Sequence, residues 1–78
     1  MFQPIPIPDG GKILTIQMQN DRPVMWVEVD PSEDVKKVVR YFARVDTGYG
    51  EVPRGAQYLG TTQHGSAYVA HWYEAFQS

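Results

Sequence analysis

Pro4, Pro6 and Pro8 restrict this chain more than any other feature. Each ring holds φ at about −65° and removes a backbone donor, so residues 3–11, QPIPIPDGG, cannot form a helix. Ile5 and Ile7 then point the same way. Such a segment fits an edge strand or a strap across a core, never a central strand. Asp9-Gly10-Gly11 ends it in a turn.

The period of two continues beyond that turn. In residues 13–18, Leu14, Ile16 and Met18 alternate with Ile13, Thr15 and Gln17. Asn20 and Asp21 tolerate left-handed backbone, and Pro23 opens a second alternating run. There Met25, Val27 and Val29 share one face, and Val24, Trp26 and Glu28 the other. The pair reads as an antiparallel hairpin. Residues 31–46, PSEDVKKVVRYFARVD, fit two patterns. Val35, Val38, Val39 and Phe42 have helical spacing, whereas Val39, Tyr41, Ala43 and Val45 alternate as in a strand. Tyr58 to Gln63 is strand-like, with Gly60 marking a bulge or a close approach. His64-Gly65 is a tight turn. Residues 67–76, AYVAHWYEAF, are the last strand, with Tyr68, Ala70, Trp72, Glu74 and Phe76 on one face.

Seventy-eight residues make one domain, which buries only roughly 60–65% of the surface of its unfolded form. Chains this small usually need a disulfide, a metal or a second chain. No cysteine is present, and His64 and His71 are the only histidines, so disulfides are excluded and a zinc set is not expected. Homo-oligomerisation or a large partner stays open. The net charge of −2 and the scattered basic residues, apart from Lys36, Lys37 and Arg40, do not make a nucleic-acid footprint. No apolar run has the length of a membrane span. The opening Met-Phe-Gln-Pro lacks the basic and hydrophobic regions of a secretory signal, so a cytoplasmic protein is expected.

With its segments placed, the chain resembles an uncharacterised family of small bacteriophage and prophage proteins. PDGGKIL, residues 8–14, looks like that family's Pro-acid-Gly-x-Lys-Ile-Leu segment. IQMQNDRPVMWVEVDP, residues 16–31, is similar to its Val-Gln-x-Gln-Asn-Gly-x-Pro-x-Leu-Trp hairpin ending in Val-Asp-Pro. Phe42 and Thr47-Gly48 fit its Phe…Gly-Thr-Gly-His segment, YLGTTQ (58–63) fits Tyr-Leu-Gly-Thr-x-Gln, and YVAHWYE (68–74) fits Phe-Val-Trp-His-x-Phe-Glu. Three positions depart from the pattern: Asp21 replaces its turn glycine, Tyr49 its histidine, and Ala70 its tryptophan. The resemblance implies a strand over 37–46, a mostly β fold and a phage-linked context, with no activity to carry over.

No catalytic set is legible. Ser66 lies two residues from His64 in one turn, the wrong geometry for a nucleophile and its base. Glu28 and Glu74 read as solvated outward positions. His71 reads as a packed, half-buried histidine, with ligand binding or pH sensing as the alternative. The ten aromatic residues are more informative: Tyr41, Phe42, Tyr68, Trp72, Tyr73 and Phe76 can supply a core. If no helix covers the second face of a thin sheet, Trp26, Tyr49 and part of 67–76 are exposed or covered by a partner, and they become a binding surface.

The expected fold class is therefore mainly β. It is a small antiparallel sheet or partly closed barrel of four to five strands, in a meander with hairpins at 19–22 and 64–65. An extended arm runs over 1–11, and one short helix at 32–38 is allowed. The expected function is non-catalytic and needs no cofactor: a cytoplasmic, phage-type accessory protein that binds and inhibits a host protein or complex, such as an anti-phage defence component, in the manner of an anti-CRISPR. The candidate binding residues are Trp26, Glu28, Tyr49, His71 and Tyr73. Two alternatives stand beside it, an oligomer that sequesters a nucleotide-like ligand and a minor virion or assembly component.

Overall fold

The computed structural model describes residues 2–31, 36–48, 50–66 and 68–76. All regular structure among them is strand: β1 (Phe2–Pro8), β2 (Lys12–Gln19), β3 (Arg22–Glu28), β4 (Lys37–Asp46), β5 (Gln57–His64) and β6 (Tyr68–Ala75). Four strands form one antiparallel sheet in the order β1-β4-β6-β5, and β2 and β3 form a second. The mainly β, antiparallel fold is as the alternation predicts. The strands number six because the N-terminal arm is itself a strand. Their order is not a meander, since only β2–β3 and β5–β6 are neighbours in both chain and sheet, and no barrel closes. Of the helix allowed at 32–38, residues 32–35 lie outside the described residues, and Lys37 and Val38 belong to β4. No helix among the described residues is long and apolar enough to cross a membrane.

The prolines place β1 at an edge. It pairs with β4 from Phe2 opposite Ala43 to Pro8 opposite Lys37. Prolines cannot donate, and in an antiparallel ladder alternate residues turn both backbone groups to the same side. The bonds to β4 therefore run through Gln3, Ile5 and Ile7, and the prolines line the open edge. The β2–β3 turn is Asn20-Asp21, with φ of 51° and 64°. Two consecutive left-handed residues are what the twist of a two-residue hairpin requires.

Register assigns two faces to the large sheet. Toward the β2–β3 hairpin it presents Ala70, Trp72 and Glu74 of β6, Phe42 and Arg44 of β4, and Gly60 and Thr62 of β5. The core is Ile16 of β2 against Ala70 and Trp72, with Leu59 packed on them. At Gly60 the two sheets come so close that a Cβ would lie 2.8 Å from Ile16 Cγ2. Gly60 thus serves both readings of its strand, because the β5 ladder also shifts register between Tyr58 and Gly60.

Two burial expectations are corrected. Leu14 does not share the inner face with Ile16 and Met18. A register shift between Ile13 and Thr15 makes it the extra residue of a bulge, and it is 55% exposed. Glu74 is not a solvated carboxylate but is 3% exposed. It takes both forks of Arg40, Nε to Oε2 at 2.5 Å and Nη2 to Oε1 at 2.6 Å. Arg40 Nη1 also donates to the carbonyl of Gly11. The Glu74 hydrogen bond is the main reason that the Arg40 pKa is raised, so the guanidinium stays charged throughout the working range. This cluster pins the turn at which the chain leaves the large sheet for the hairpin. Gly11 is buried there, and a Cβ would meet Ile7, Pro8 and Val27 at 2.9–3.0 Å. Among the aromatics expected in the core, Phe42 and Trp72 are buried, whereas Tyr68 and Phe76 are 42% and 59% exposed. Phe76 lies past the end of β6, and Tyr68 sits at its first position, where its ring meets His64 and Arg44 rather than the core.

Candidate interaction surface

β3 alternates, so turning Met25 toward the large sheet turns Trp26 and Glu28 away from it. Trp26 stands opposite Thr15, and Glu28 opposite Lys12. The indole is 50% exposed, and it has no ring contact or hydrogen bond among the described residues. With the bulged Leu14 the hairpin offers solvent two large apolar side chains, and Lys12, Arg22 and Glu28 are exposed around them. An aromatic anchor inside a polar rim is the composition of a protein-binding patch.

His71 and Tyr73 project from β6 on the side opposite Ala70 and Trp72. Thr47 Oγ1 donates to the carbonyl of Val69 at 3.2 Å, so it accepts from His71 Nε2 at 3.0 Å. His71 Nδ1 lies 3.0 Å from Thr61 Oγ1, which bonds in turn to the Tyr58 hydroxyl. His71 therefore carries a proton on Nε2. Both ring nitrogens are committed, which supports the packed reading over a ligating one. Tyr73 meets Tyr58 edge to face, with centroids 5.6 Å apart.

The structure therefore brings the candidates together as two pairs on opposite sides of the molecule. Trp26 and Glu28 lie on the outside of the small sheet, and His71 and Tyr73 on the outside of the large one. Tyr49 lies outside the described residues.

Between the sheets is a cluster that sequence reasoning missed. The Arg44 guanidinium lies 4.9 Å from the Tyr68 ring centre and 5.8 Å from that of Trp72. Its Nε donates to Asp46 Oδ1 at 2.9 Å, and this bond is the first cause of its raised pKa. His64 stacks on Tyr68 at 4.9 Å. Thr62 accepts from Trp72 Nε1 at 2.8 Å, and its hydroxyl pairs with His64 Nε2 at 2.7 Å. A cleft of about 440 Å³ opens beside Arg44, lined also by Phe2, Gln3, Phe42 and Trp72. Arg44 is already held by a carboxylate and two rings, which leaves it little to offer an anion. The spacing of Arg44 from Asp46, and of Tyr68 from Trp72, was visible as two same-face pairs. The pairing of β4 with β6 that joins them was not.

No group of three or more histidine, aspartate or glutamate side chains among the described residues could hold a metal. Neither the curated proteins nor the solved structures contain a match to the chain. One family does match, over residues 2–78, and it is described as a domain of unknown function, DUF7352. By that match, which spans nearly the whole chain, this protein belongs to the DUF7352 family.

Proposed function

We propose that this chain is a non-catalytic protein-binding domain whose partner docks on the outward face of the β2–β3 hairpin. The observation that carries this reading is Trp26, half exposed on a regular strand and, among the described residues, without a ring contact or hydrogen bond of its indole. Leaving an indole in water forgoes about 2 kcal/mol or more of burial, and tryptophan is the residue type most enriched at binding hot spots. The histidines support the same reading from the other side, since among the described residues their ring nitrogens bond to threonine hydroxyls and to no carboxylate or serine.

The more specific form of the proposal rests on the resemblance to small phage proteins. In that form the partner is a bacterial host protein, such as a defence component, and binding inhibits it in the cytoplasm. The test is affinity capture with the tagged full chain from a bacterial host lysate, run beside Trp26→Ala. A partner retained by the wild type and absent from the variant supports the hairpin. A partner held equally by both removes the hairpin from the proposal.

A further inference from the structure

The large sheet is inside out with respect to charge. Its inner face, partly covered by the hairpin, carries Arg40, Arg44, Asp46 and Glu74. Its outer face carries Val39, Tyr41, Val45, Val69, Tyr73 and Tyr58, with Thr61, Gln63 and His71 as its uncharged polar members and Phe2 and the prolines of β1 beside them. Lys37, at the first residue of β4, is the one charged side chain that this alternation places there. A sheet with one solvated face normally shows the reverse, polar outward and apolar inward. Val39 and Tyr58 are each 54% exposed, and Phe2 is 50% exposed.

Four polar side chains on this side of the sheet are already paired with one another. The hydroxyls of Tyr58, Thr61 and Thr47 and both nitrogens of His71 satisfy one another and end on a backbone carbonyl. On a wetted face water would do this at no cost. Internal pairing matters where water is to be excluded, because an unpaired buried donor or acceptor is expensive.

The surface is also too large for a closed monomer. The chain exposes 6036 Å², against about 4,800 Å² expected for a folded monomer of this mass. The difference, roughly 1,200 Å², exceeds the ~800 Å² that each partner gives to a standard interface.

From these observations we infer that the outer face of the β1-β4-β6-β5 sheet is the interface between two copies of this chain, packed face to face about a two-fold axis. A second copy fits better than a foreign protein. Surfaces that meet foreign partners are about as polar as the rest of a protein, whereas homodimer faces are more apolar. A face nearly free of charge meets its own copy without like-charge repulsion. Face-to-face packing is also favoured over joining at the β1 edge, where Pro4, Pro6 and Pro8 remove three of the donors a further strand would need.

The test is sedimentation equilibrium of the full chain at roughly 100 µM, far above a micromolar dissociation constant. The expected mass is twice the 8.9 kDa of one chain. Val39→Lys and Tyr58→Lys alter exposed positions on two different strands. Each is expected to raise the dissociation constant at least tenfold while the far-ultraviolet spectrum still shows a folded β domain. Trp26→Ala is expected to leave the dimer intact, so the hairpin and the dimer fail separately. A wild type that stays at 8.9 kDa overturns the inference. So does a dimer that both lysine variants leave unchanged, or an outer face that becomes protected only when a foreign protein is added.

Discussion

Asn20 and Asp21 sit at φ of 51° and 64°, and their residue types are the reason that the hairpin turns there. Asparagine tolerates this region at modest cost, but the second position of such a turn is best filled by glycine. Asp21→Gly is expected to raise stability by about 0.5–1 kcal/mol, read from urea unfolding of variant and wild type. A loss of stability would mean that the Asp21 side chain contributes to the turn. The His71 imidazole offers a second test at this scale. Thr47 donates to a carbonyl, so His71 carries a proton on Nε2. Long-range nitrogen–proton correlation spectra should show that proton. An unprotonated Nε2 in His71 would break the bond to Thr47.

The strands differ in how much of them could be read from the sequence. The proline period identified β1 as an edge, and Asn20-Asp21 located the first hairpin. Gly60 announced the bulge at which β5 meets β2. These are local signals, each set by a residue's own backbone preferences. What escaped depended on pairing between distant segments. Leu14 was assigned inward because alternation assumes an unbroken ladder, and the bulge beside it breaks that ladder. Glu74 looked solvent-facing because its partner, Arg40, lies on another strand 34 residues away. Trp26 and Glu28 were placed correctly on one face, while the separation of Trp26 from His71 required knowing that the sheet divides in two. The Arg40–Glu74 pair gives the prediction for this scale. Removing Glu74 leaves the part-buried Arg40 without its carboxylate, so Glu74→Ala should cost about 2 kcal/mol. Replacing both, Arg40→Met with Glu74→Leu, should recover most of that loss. The measurement is thermal or denaturant unfolding of the single and double variants. A double variant no better than the single one would show that the bond to Gly11, rather than the ion pair, holds the turn.

The whole molecule is a flat body of 42 × 32 × 15 Å. Its radius of gyration is 13.4 Å, where about 11.5 Å is expected for a compact chain of this length. The core is correspondingly thin: Ile7, Ile16, Phe42, Ala43, Ala70 and Trp72 are its buried apolar residues. A cysteine-free chain with so thin a core has burial still to gain from other chains. The two outer surfaces have different chemistry. The face of the large sheet is apolar, nearly uncharged and internally hydrogen bonded, which suits a second copy. The face of the small sheet sets Trp26 and Leu14 among lysine, arginine and glutamate, which suits a foreign protein. A dimer joined through the first surface would present two copies of the second on its outside. The central claim is that Trp26 on this outward hairpin face anchors the partner. Its most direct test is calorimetric titration of the captured partner with the wild type, Trp26→Ala and Val39→Lys. The account predicts that Trp26→Ala weakens binding about 30-fold or more, the effect of losing a ~2 kcal/mol hot spot, while Val39→Lys binds as the wild type does. Equal affinity for Trp26→Ala and wild type would contradict it.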